Sequence, residues 1–286
     1  MSDLDGLGYR GASAVVVGCS TGIGAGMVKI LGELGAEVHA VSRNEPSLPH
    51  ASFTQIDLRD RASIAAAADA IHARGPIDHV LVSAGVPRMR SRDELIQVNY
   101  LGVRELVDLL VPGIVRGGTI GLIGSSTALG WERNIPLLME LVTIDDPAEA
   151  AAWCDAHPDQ VGDGMTTYIF SKQAMMTWTT HAATTLAQQH GIRMNCTAPG
   201  PTATPMADEM TEQNGPAAFD AYPYPVLGRM PTGEEQAWPL ILLNSRPNQV
   251  SNGLVNFTDE GVSPAVLTGT IDLMGLMAKA LGRDLS

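Results

Sequence analysis

The sequence predicts an α/β protein in which helices cover both faces of one doubly wound parallel sheet. Over the first 120 residues, short β-branched runs alternate with longer segments of helical periodicity, as in a parallel sheet with crossover helices. With 286 residues, 45% of them apolar, the chain can bury a large core. It contains no internal repeat, low-complexity tract or flexible linker, so we predict a single domain over residues 1–286.

The individual elements follow from the β-branched runs and from the helix caps. In the first half, strands are expected at residues 12–17, 37–41, 52–56 and 77–82. A helix at residues 22–34 has apolar side chains at helical spacing, and Asp60 is expected to cap an alanine-rich helix that ends near Gly75. In the second half, helices and strands are expected to alternate at residues 94–115, 119–123, 167–190 and 192–197.

Two segments depart from this alternation. Residues 131–165 contain Asp146 followed by Pro147, which predicts the start of a short helix that ends at His157, and we expect an inserted helical hairpin. The tail, residues 264–286, is expected to be helical. It carries an apolar stripe formed by Ile271, Met274, Met277, Ala278 and Leu281. This stripe fits either a packed amphipathic helix or a mobile lid.

The composition limits the possible partners. Lys and Arg number 18 against 31 Asp and Glu, and the formal net charge of −13 disfavours binding to nucleic acid or to an anionic membrane surface. No window has the roughly 18 apolar residues of a membrane span, and the first residues do not resemble an export signal. Three scattered cysteines and seven histidines show no disulfide or metal-ligand spacing. We therefore expect a cytoplasmic protein without a metal site.

A glycine-rich segment lies at the first strand-to-helix turn and contains Gly18, Gly22 and Gly24. Small residues at such a turn let the backbone approach a pyrophosphate, and the helix N-terminus supplies N–H donors. A tight turn without a ligand is the alternative interpretation. Three residues separate the first two glycines, whereas the common dinucleotide fingerprint has one, and this spacing narrows the choice of families.

Several polar residues could carry chemistry. Tyr168 and Lys172 are four residues apart on one predicted helix, so both side chains lie on the same face and their charges can couple. Ser125 and Ser126 follow the strand at residues 119–123, at the sheet edge where ligands of open α/β sheets bind. Asn99 lies inside a predicted helix despite its poor helix propensity, which indicates a compensating role.

These motifs together resemble the short-chain dehydrogenase/reductase family. Five of them occur in that family's order, namely the glycine-rich turn, Asn99, the serine pair, Tyr168-x-x-x-Lys172 and Asn195-x-x-x-Pro199-Gly200. The resemblance covers residues 11–261, and the long insertion between serine and tyrosine is similar to that of bacterial 3α-hydroxysteroid dehydrogenase/carbonyl reductases. It implies a Rossmann-type fold and an NAD(P)-dependent alcohol dehydrogenase or carbonyl reductase.

The resemblance also implies catalytic roles. Tyr168 would be the acid/base, Lys172 would bind the nicotinamide ribose, and Asn99 would hold a water in a proton relay. Of the two serines, Ser126 would orient and polarise the substrate oxygen, because the family's catalytic serine is usually the second of such a pair, and Ser125 would be structural. Tyr168 has a reference pKa of about 10, and we expect Lys172 and the bound nicotinamide to lower it.

Cofactor-binding residues follow from the same resemblance. Asp57 would lie beside the adenine, residues 83–85 along the adenosine ribose, and residues 199–204 around the carboxamide. The full set is Gly18, Ser20, Thr21, Gly22, Ile23, Gly24, Ser42, Arg43, Asp57, Leu58, Ser83, Ala84, Gly85, Tyr168, Lys172, Pro199, Gly200, Thr202 and Thr204. This sequence departs from the family pattern at Val82-Ser83, where the family often has two asparagines. Any hydrogen bond from an asparagine side chain is therefore lost here.

The end of the second strand predicts the cofactor. NAD enzymes of this fold usually have an acidic residue there, whereas this chain has Ser42 and Arg43, which can bind a 2′-phosphate. We therefore predict that NADP(H) is preferred and that some NAD(H) use persists. Alternatively, Arg43 is a solvated turn residue, because Thr21 replaces a second basic residue found in many NADP enzymes and Glu45 could neutralise Arg43.

The leading hypothesis is an oxidoreductase acting on a secondary alcohol or ketone of an apolar, ring-containing compound such as a hydroxysteroid, terpenoid or aromatic alcohol. Residues 206–230 offer aromatic and thioether side chains that suit either such a ligand or ordinary packing in a lid. The alternative is a catalytically idle dinucleotide sensor or scaffold of the same fold. We also expect a homo-dimer or homo-tetramer. Members of the family commonly pair through the helices that are predicted here at residues 94–115 and 167–190, and the inserted hairpin would cover that surface.

Overall fold

Seven strands form one sheet in the order β3-β2-β1-β4-β5-β6-β7, in a computed structural model that describes residues 6–280. The strands are β1 Ser13–Val17, β2 Glu37–Ser42, β3 Ser52–Gln55, β4 Ile77–Val82, β5 Ile114–Ile123, β6 Arg193–Pro199 and β7 Val255–Thr258. Every neighbouring pair is parallel. The predicted doubly wound Rossmann-type sheet is confirmed, and its direction of winding switches between β1 and β4.

The helices pack on both faces of this sheet. They are α1 Gly22–Glu33, α2 Arg61–His72, α3 Arg92–Ile96, α4 Gly102–Leu110, α5 Ile135–Val142, α6 Pro147–Ala156, α7 Pro158–Val161, α8 Met165–His190, α9 Pro205–Asn214, α10 Ala217–Asp220, α11 Gly233–Asn244, α12 Val262–Leu267 and α13 Leu273–Ala280. Asp60 caps α2 by accepting from the Ala62 backbone N–H at 2.9 Å, and Asp146 caps α6, as expected. None of these described helices is long and apolar enough to cross a membrane.

The core has two layers, one on each face of the sheet. Successive β1 side chains point in opposite directions, so Val16 packs against α1 and α11 while Val15 and Val17 pack on the side of α2, α4 and α8. The approach of α1 to α11 depends on glycine, because a Cβ at Gly26 would lie 2.7 Å from the Glu234 Cα. Larger side chains there would push α1, whose N-terminus borders the site, away from the sheet.

The predicted helix at residues 94–115 differs in the structure. It is divided into α3, a π-helical segment at Gln97–Leu101 and α4, and it ends at Leu110. Strand β5 then begins at Ile114, before the expected residue 119, with a register shift where β4 pairs with β5. Gly117 adopts φ +93°, which permits the irregular backbone that separates the two parts of β5.

The segment at residues 131–165 forms three short helices, α5, α6 and α7. These helices pack on α8 and on the π-helical segment, and Leu138, Leu141 and Cys154 are buried in the same core layer as Trp178 of α8. The tail contains most of α12 and all of the described helix α13. Of the apolar stripe expected there, Ile271 precedes α13, and Leu281 lies outside the described residues.

Candidate active site

A cavity of about 920 Å³ opens at the carboxyl ends of β1, β4, β5 and β6. This is the sheet edge where open α/β sheets bind ligands. The glycine-rich turn before α1 forms one side, and residues of α8, α9 and α13 form another. The cavity therefore joins the expected cofactor residues and the expected catalytic residues in one space.

Helix α8 supplies one face of this cavity. Met165, Tyr168, Ile169 and Lys172 all line the cavity, because residues three and four apart share a helix face. Lys172 Nζ lies 5.9 Å from the centroid of the Tyr168 ring and donates to the Ile123 carbonyl oxygen at 3.1 Å. The pairing predicted from the sequence is therefore present in three dimensions.

The charges around Tyr168 differ from expectation. Burial raises the pKa of Tyr168, and the groups that oppose this rise are the Ser125 hydroxyl and the Arg88 guanidinium, not Lys172. Burial also lowers the pKa of Lys172 to about 8. The ammonium donates to the end of β5 and lies close to the Tyr168 ring, and its expected part, together with a bound nicotinamide, in lowering the pKa of the phenol stays a prediction.

The two serines after β5 occupy different positions. Ser125 is the extended N-cap of a 3₁₀ turn at Ser126–Ala128, and its hydroxyl interacts with Tyr168. Ser126 approaches the Tyr222 hydroxyl, without the geometry of a full hydrogen bond. Both serines line the cavity, and Ser125 is the one that lowers the pKa of Tyr168 against the effect of burial, whereas the catalytic role expected for Ser126 stays a prediction. The strand ends at Ile123, so strand alternation no longer determines which serine faces the site.

Asn99 is fully buried and does not line the cavity. Its Oδ1 accepts from the Val86 backbone N–H at 2.7 Å, and its Nδ2 donates to the Val86 carbonyl at 3.2 Å. A Cβ at Gly85 would lie 3.2 Å from this Oδ1 and 3.7 Å from Lys172 Nζ. The Asn99 side chain thus anchors the loop after β4 beside Lys172, and its part in a water relay stays a prediction.

The glycine-rich turn fits a dinucleotide. Gly18 adopts φ +79°, and a Cβ there would lie 2.4 Å from the Ala84 backbone N, so only glycine allows β1 and the loop after β4 to close. Thr21 makes no side-chain cap to α1, and the first turn of α1 holds no acidic residue. The N-terminal N–H groups of α1 can therefore face a pyrophosphate.

The end of β2 places Arg43 on the cavity. Ser42 is buried and donates to the Asn44 carbonyl at 2.5 Å. Glu45, which could have neutralised Arg43, instead lies 3.1 Å from His50 Nε2. Arg59, which was not among the residues expected from the sequence, is a second guanidinium that lines the cavity and holds the pKa of Asp57 at about 2. Its position two residues after Asp57 was the available signal.

Apart from Asn99 and Gly24, all expected site residues line the cavity. Gly24 lies in α1, where a Cβ would meet the Gly18 carbonyl. The substrate side includes apolar residues that sequence reasoning did not single out as lining it: Leu129, Met165, Ile169, Val262, Val266 and Leu273. Among the described residues no group of three metal-ligating side chains occurs.

Family models match most of the chain. The model described as short chain dehydrogenase matches residues 12–133, and that described as Enoyl-(Acyl carrier protein) reductase matches residues 156–263. Among curated proteins, the chain is 33% identical over 201 residues to a coniferyl-alcohol dehydrogenase of Pseudomonas sp., covering 70% of this chain and 77% of that protein. It is 26% identical over 253 residues to the 3-alpha-hydroxysteroid dehydrogenase/carbonyl reductase of Comamonas testosteroni, covering 87% and 95%.

Solved structures share the fold. A 3-alpha-hydroxysteroid dehydrogenase from Pseudomonas sp. B-0831, complexed with NADH, superposes with a TM-score of 0.75 at 23% identity and covers 91% of this chain and 100% of that chain. An aldohexose dehydrogenase from Thermoplasma acidophilum gives a TM-score of 0.69 at 20% identity, covering 90% of this chain and 96% of that chain.

Proposed function

The chain belongs to the short-chain dehydrogenase/reductase family, and from this premise we propose that it interconverts secondary alcohols and ketones of apolar, ring-containing compounds, with NADP(H) preferred over NAD(H). One observation carries the proposal: Tyr168, Ser125 and Lys172 line the same cavity as the glycine-rich turn. Oxidoreductase chemistry needs this combination, because the proton and the hydride must leave or enter the same substrate carbinol.

A nicotinamide cofactor bound at the turn would accept or supply the hydride. For alcohol oxidation, the Tyr168 phenolate takes the hydroxyl proton, and for ketone reduction the phenol returns a proton to the carbonyl oxygen. The Ser125 hydroxyl, which interacts with Tyr168, is positioned to hold the same substrate oxygen by a hydrogen bond. Lys172 holds its ammonium beside Gly85, where a ribose would lie.

The substrate side of the cavity supports an apolar ring compound. Met206, Met210, Phe219 and Tyr222 line the cavity as expected from the sequence, whereas Tyr224 and Met230 do not. Thioether and aromatic side chains adapt their packing to large apolar ligands. Two relatives are named for coniferyl alcohol and for 3α-hydroxysteroids, both ring-containing, and this agrees with the chemistry of the wall.

The preference for NADP(H) rests on Arg43. The Arg43 guanidinium lines the cavity at the end of β2, and its expected neutraliser Glu45 contacts His50. Ser42 contributes less to binding of a 2′-phosphate than expected, because its hydroxyl already donates to the Asn44 carbonyl. Arg59 is held 2.5 Å from Asp57. Arg43 is therefore the main candidate for a 2′-phosphate, and one guanidinium leaves room for NAD(H) use.

The cofactor experiment compares kcat/KM for NADP(H) and NAD(H) in the wild type, Arg43→Ala and the control Arg74→Ala. Arg74 is exposed and does not line the cavity, so its removal changes the net charge equally. We expect Arg43→Ala alone to lower the NADP(H)/NAD(H) ratio, by about 10- to 100-fold. A wild type that prefers NAD(H), or an unmoved ratio, would contradict the assignment.

The reaction itself is tested with a panel of steroidal, terpenoid and aryl alcohols and ketones. Tyr168→Phe removes the proton-transferring oxygen, and we expect turnover to fall by about 10²–10⁴-fold while cofactor affinity by calorimetry stays near the wild-type value. A wild type that binds dinucleotide but turns over no member of the panel would instead support the sensor or scaffold alternative.

A further inference from the structure

Arg88 lies in the loop after β4 and lines the cavity on the side of the catalytic tyrosine. Its Nη1 is 3.8 Å from the Met165 Sδ, and Met165 is one helical turn before Tyr168 on the same face of α8. The backbone of the loop also packs here, since a Cβ at Gly164 would lie 3.9 Å from the Arg88 carbonyl oxygen. The guanidinium is thus held near the reacting end of the cavity.

The same loop contacts the substrate side of the molecule. Arg90 pairs with Glu209 of α9 at 2.7 Å. Helix α9 follows the Pro199-Gly200 turn and contributes Met206 and Met210 to the cavity. This ion pair ties the loop after β4 to the helix that covers the substrate, so Arg88 borders the substrate and not the adenine.

Arg88 differs from its neighbours in its partners. Arg90 pairs with Glu209, and Arg92 lies 4.0 Å from Asp155. Within residues 6–280, the described contacts of Arg88 include no carboxylate, and the sulfur of Met165 cannot neutralise a cation. Arg88 is partly buried, and it lines the cavity with no described carboxylate beside it.

The other charged residues of the cavity lie at other positions, and one carboxylate oxygen of Asp259 is buried without a described hydrogen-bond partner. Arg43 and Arg59 lie at the adenine end, and Lys172 lies beside Gly85. The carboxylates described in the lining are Asp57, which pairs with Arg59, and Asp259, which accepts from the Ser263 N–H and hydroxyl. Among the described cations of the lining, Arg88 remains without an assigned partner, and the substrate side that it borders is mostly apolar with a few hydroxyl groups.

We infer that the substrate carries a carboxylate on its apolar ring system and that Arg88 binds this group. The inference rests on the proposed function and narrows its substrate class to ring-containing hydroxy or keto acids. A guanidinium can bind a carboxylate through two parallel hydrogen bonds, which orients the substrate as well as attracting it. The apolar wall then holds the ring, and Tyr168 and Ser125 hold the reacting oxygen at a distance from the carboxylate.

The experiment uses pairs of ring ketones that differ in one group: 4-acetylbenzoate against 4-acetylbenzamide, and 6-acetyl-2-naphthoate against its carboxamide. In the wild type we expect the carboxylate of each pair to have the higher kcat/KM, by about 10- to 100-fold and mostly through KM. In Arg88→Met the kcat/KM ratio of carboxylate to amide should fall to about one, and any change in kcat from the loss of the charge near Tyr168 should be the same for both members of a pair. Arg88→Lys keeps the positive charge but lacks the paired N–H donors of the guanidinium, and it should retain part of the preference for the carboxylate.

Arg74→Met is the matched control, because it changes the net charge equally at an exposed position away from the cavity, and it should keep the wild-type preference. A preference absent from the wild type, unmoved in Arg88→Met or lost in Arg74→Met would overturn the inference. Calorimetry of 4-acetylbenzoate binding to cofactor-loaded protein separates the two proposals. If 4-acetylbenzoate binds only when Arg88 is present but is not reduced, the carboxylate site is supported and the proposed reaction is contradicted. If the carboxylate and the amide are reduced with equal kcat/KM, the reaction is supported and the carboxylate site is contradicted.

Discussion

Ser125 and Ser126 are adjacent in sequence but interact with different tyrosines. The Ser125 hydroxyl interacts with Tyr168, whereas that of Ser126 approaches Tyr222 on the substrate side. Ser125 also accepts from the Thr127 backbone N–H at 3.3 Å, which fixes its rotamer. This second contact holds the hydroxyl where a substrate oxygen would meet the phenol.

The first prediction separates the two serines. Ser125→Ala should lower kcat by about 10²–10³-fold, because it removes a hydrogen-bond donor to the reacting oxygen. Ser126→Ala should cause a much smaller loss. Steady-state kinetics with one ring ketone and saturating cofactor measures both, and a larger loss in Ser126→Ala would restore the assignment expected from the family pattern.

His79 in β4 makes stability depend on pH. Its Nδ1 is 2.8 Å from the Thr119 Oγ1, its ring packs against Tyr9, and burial lowers its pKa from 6.5 to about 4. Between these pH values the unfolded chain binds the proton and the folded chain does not. Stability from His79 is therefore complete above about pH 6.5 and is lost as the pH falls towards 4.

The second prediction is an acid-dependent loss of unfolding free energy. From pH 7 to pH 5, His79 alone should lower it by about 2 kcal/mol. His39 contributes in the same direction, whereas Asp57 and Glu235, with pKa values of about 2, act only at lower pH. Urea unfolding at both pH values should show a smaller change in His79→Gln than in His190→Gln, an exposed control. Equal changes in the two variants would contradict this origin.

Helix α13 borders the cavity. Leu273, Met274 and Met277 line it, and the helix contacts α10, so this part of the tail forms one wall of the site, and whether it moves as a lid stays a prediction. Its neighbour Leu276 is 44% exposed and does not line the cavity. Met277, which lines the cavity, and Leu276, which does not, therefore offer a matched pair of positions on one short helix.

The third prediction compares Met277→Ala with Leu276→Ala. Removing the Met277 thioether takes apolar contact from the substrate, and KM for a ring ketone should rise about 5- to 10-fold. Leu276→Ala should leave KM unchanged, and the affinity for dinucleotide should be the same in both variants. Equal KM values for Met277→Ala and the wild type would show that α13 does not border the bound substrate.

At the scale of the whole molecule, helices α5 and α7 pack on α8, one of the two helices through which the family resemblance leads us to expect pairing. Leu138 and Cys154 are buried against α8 and its surroundings, and Trp153 stacks near Phe170 with ring centroids 6.3 Å apart. A partner chain cannot reach a surface that the same chain already covers. We therefore expect a homo-oligomer with an interface elsewhere.

The fourth prediction concerns that assembly. Light scattering should give a mass of two or four times the 30.2 kDa of one chain. Charge reversal at two exposed acidic residues of this segment, Glu140→Arg and Glu149→Arg, should leave the mass unchanged. Dissociation on reversal would show that the segment forms the interface, and a mass of one chain in the wild type would contradict the oligomer.

Local sequence patterns determined much of the molecule. Strand alternation, helix periodicity and the caps at Asp60 and Asp146 depend on residues a few positions apart, so the parallel sheet could be predicted from them. The same locality explains Tyr168 and Lys172, which share a helix face by their spacing. A resemblance in motif order added the family, and hence the kind of cofactor.

Only the tertiary structure decided what depends on the path of loops. Which of Ser125 and Ser126 meets the phenol was decided by the turn after β5, and the pairing of Glu45 with His50 was decided by the loop after β2. The tail reached the cavity, and Arg88 was left facing it, through contacts between segments far apart in the chain. No short-range pattern encodes such contacts, because the free energy that selects them comes from packing of the whole fold.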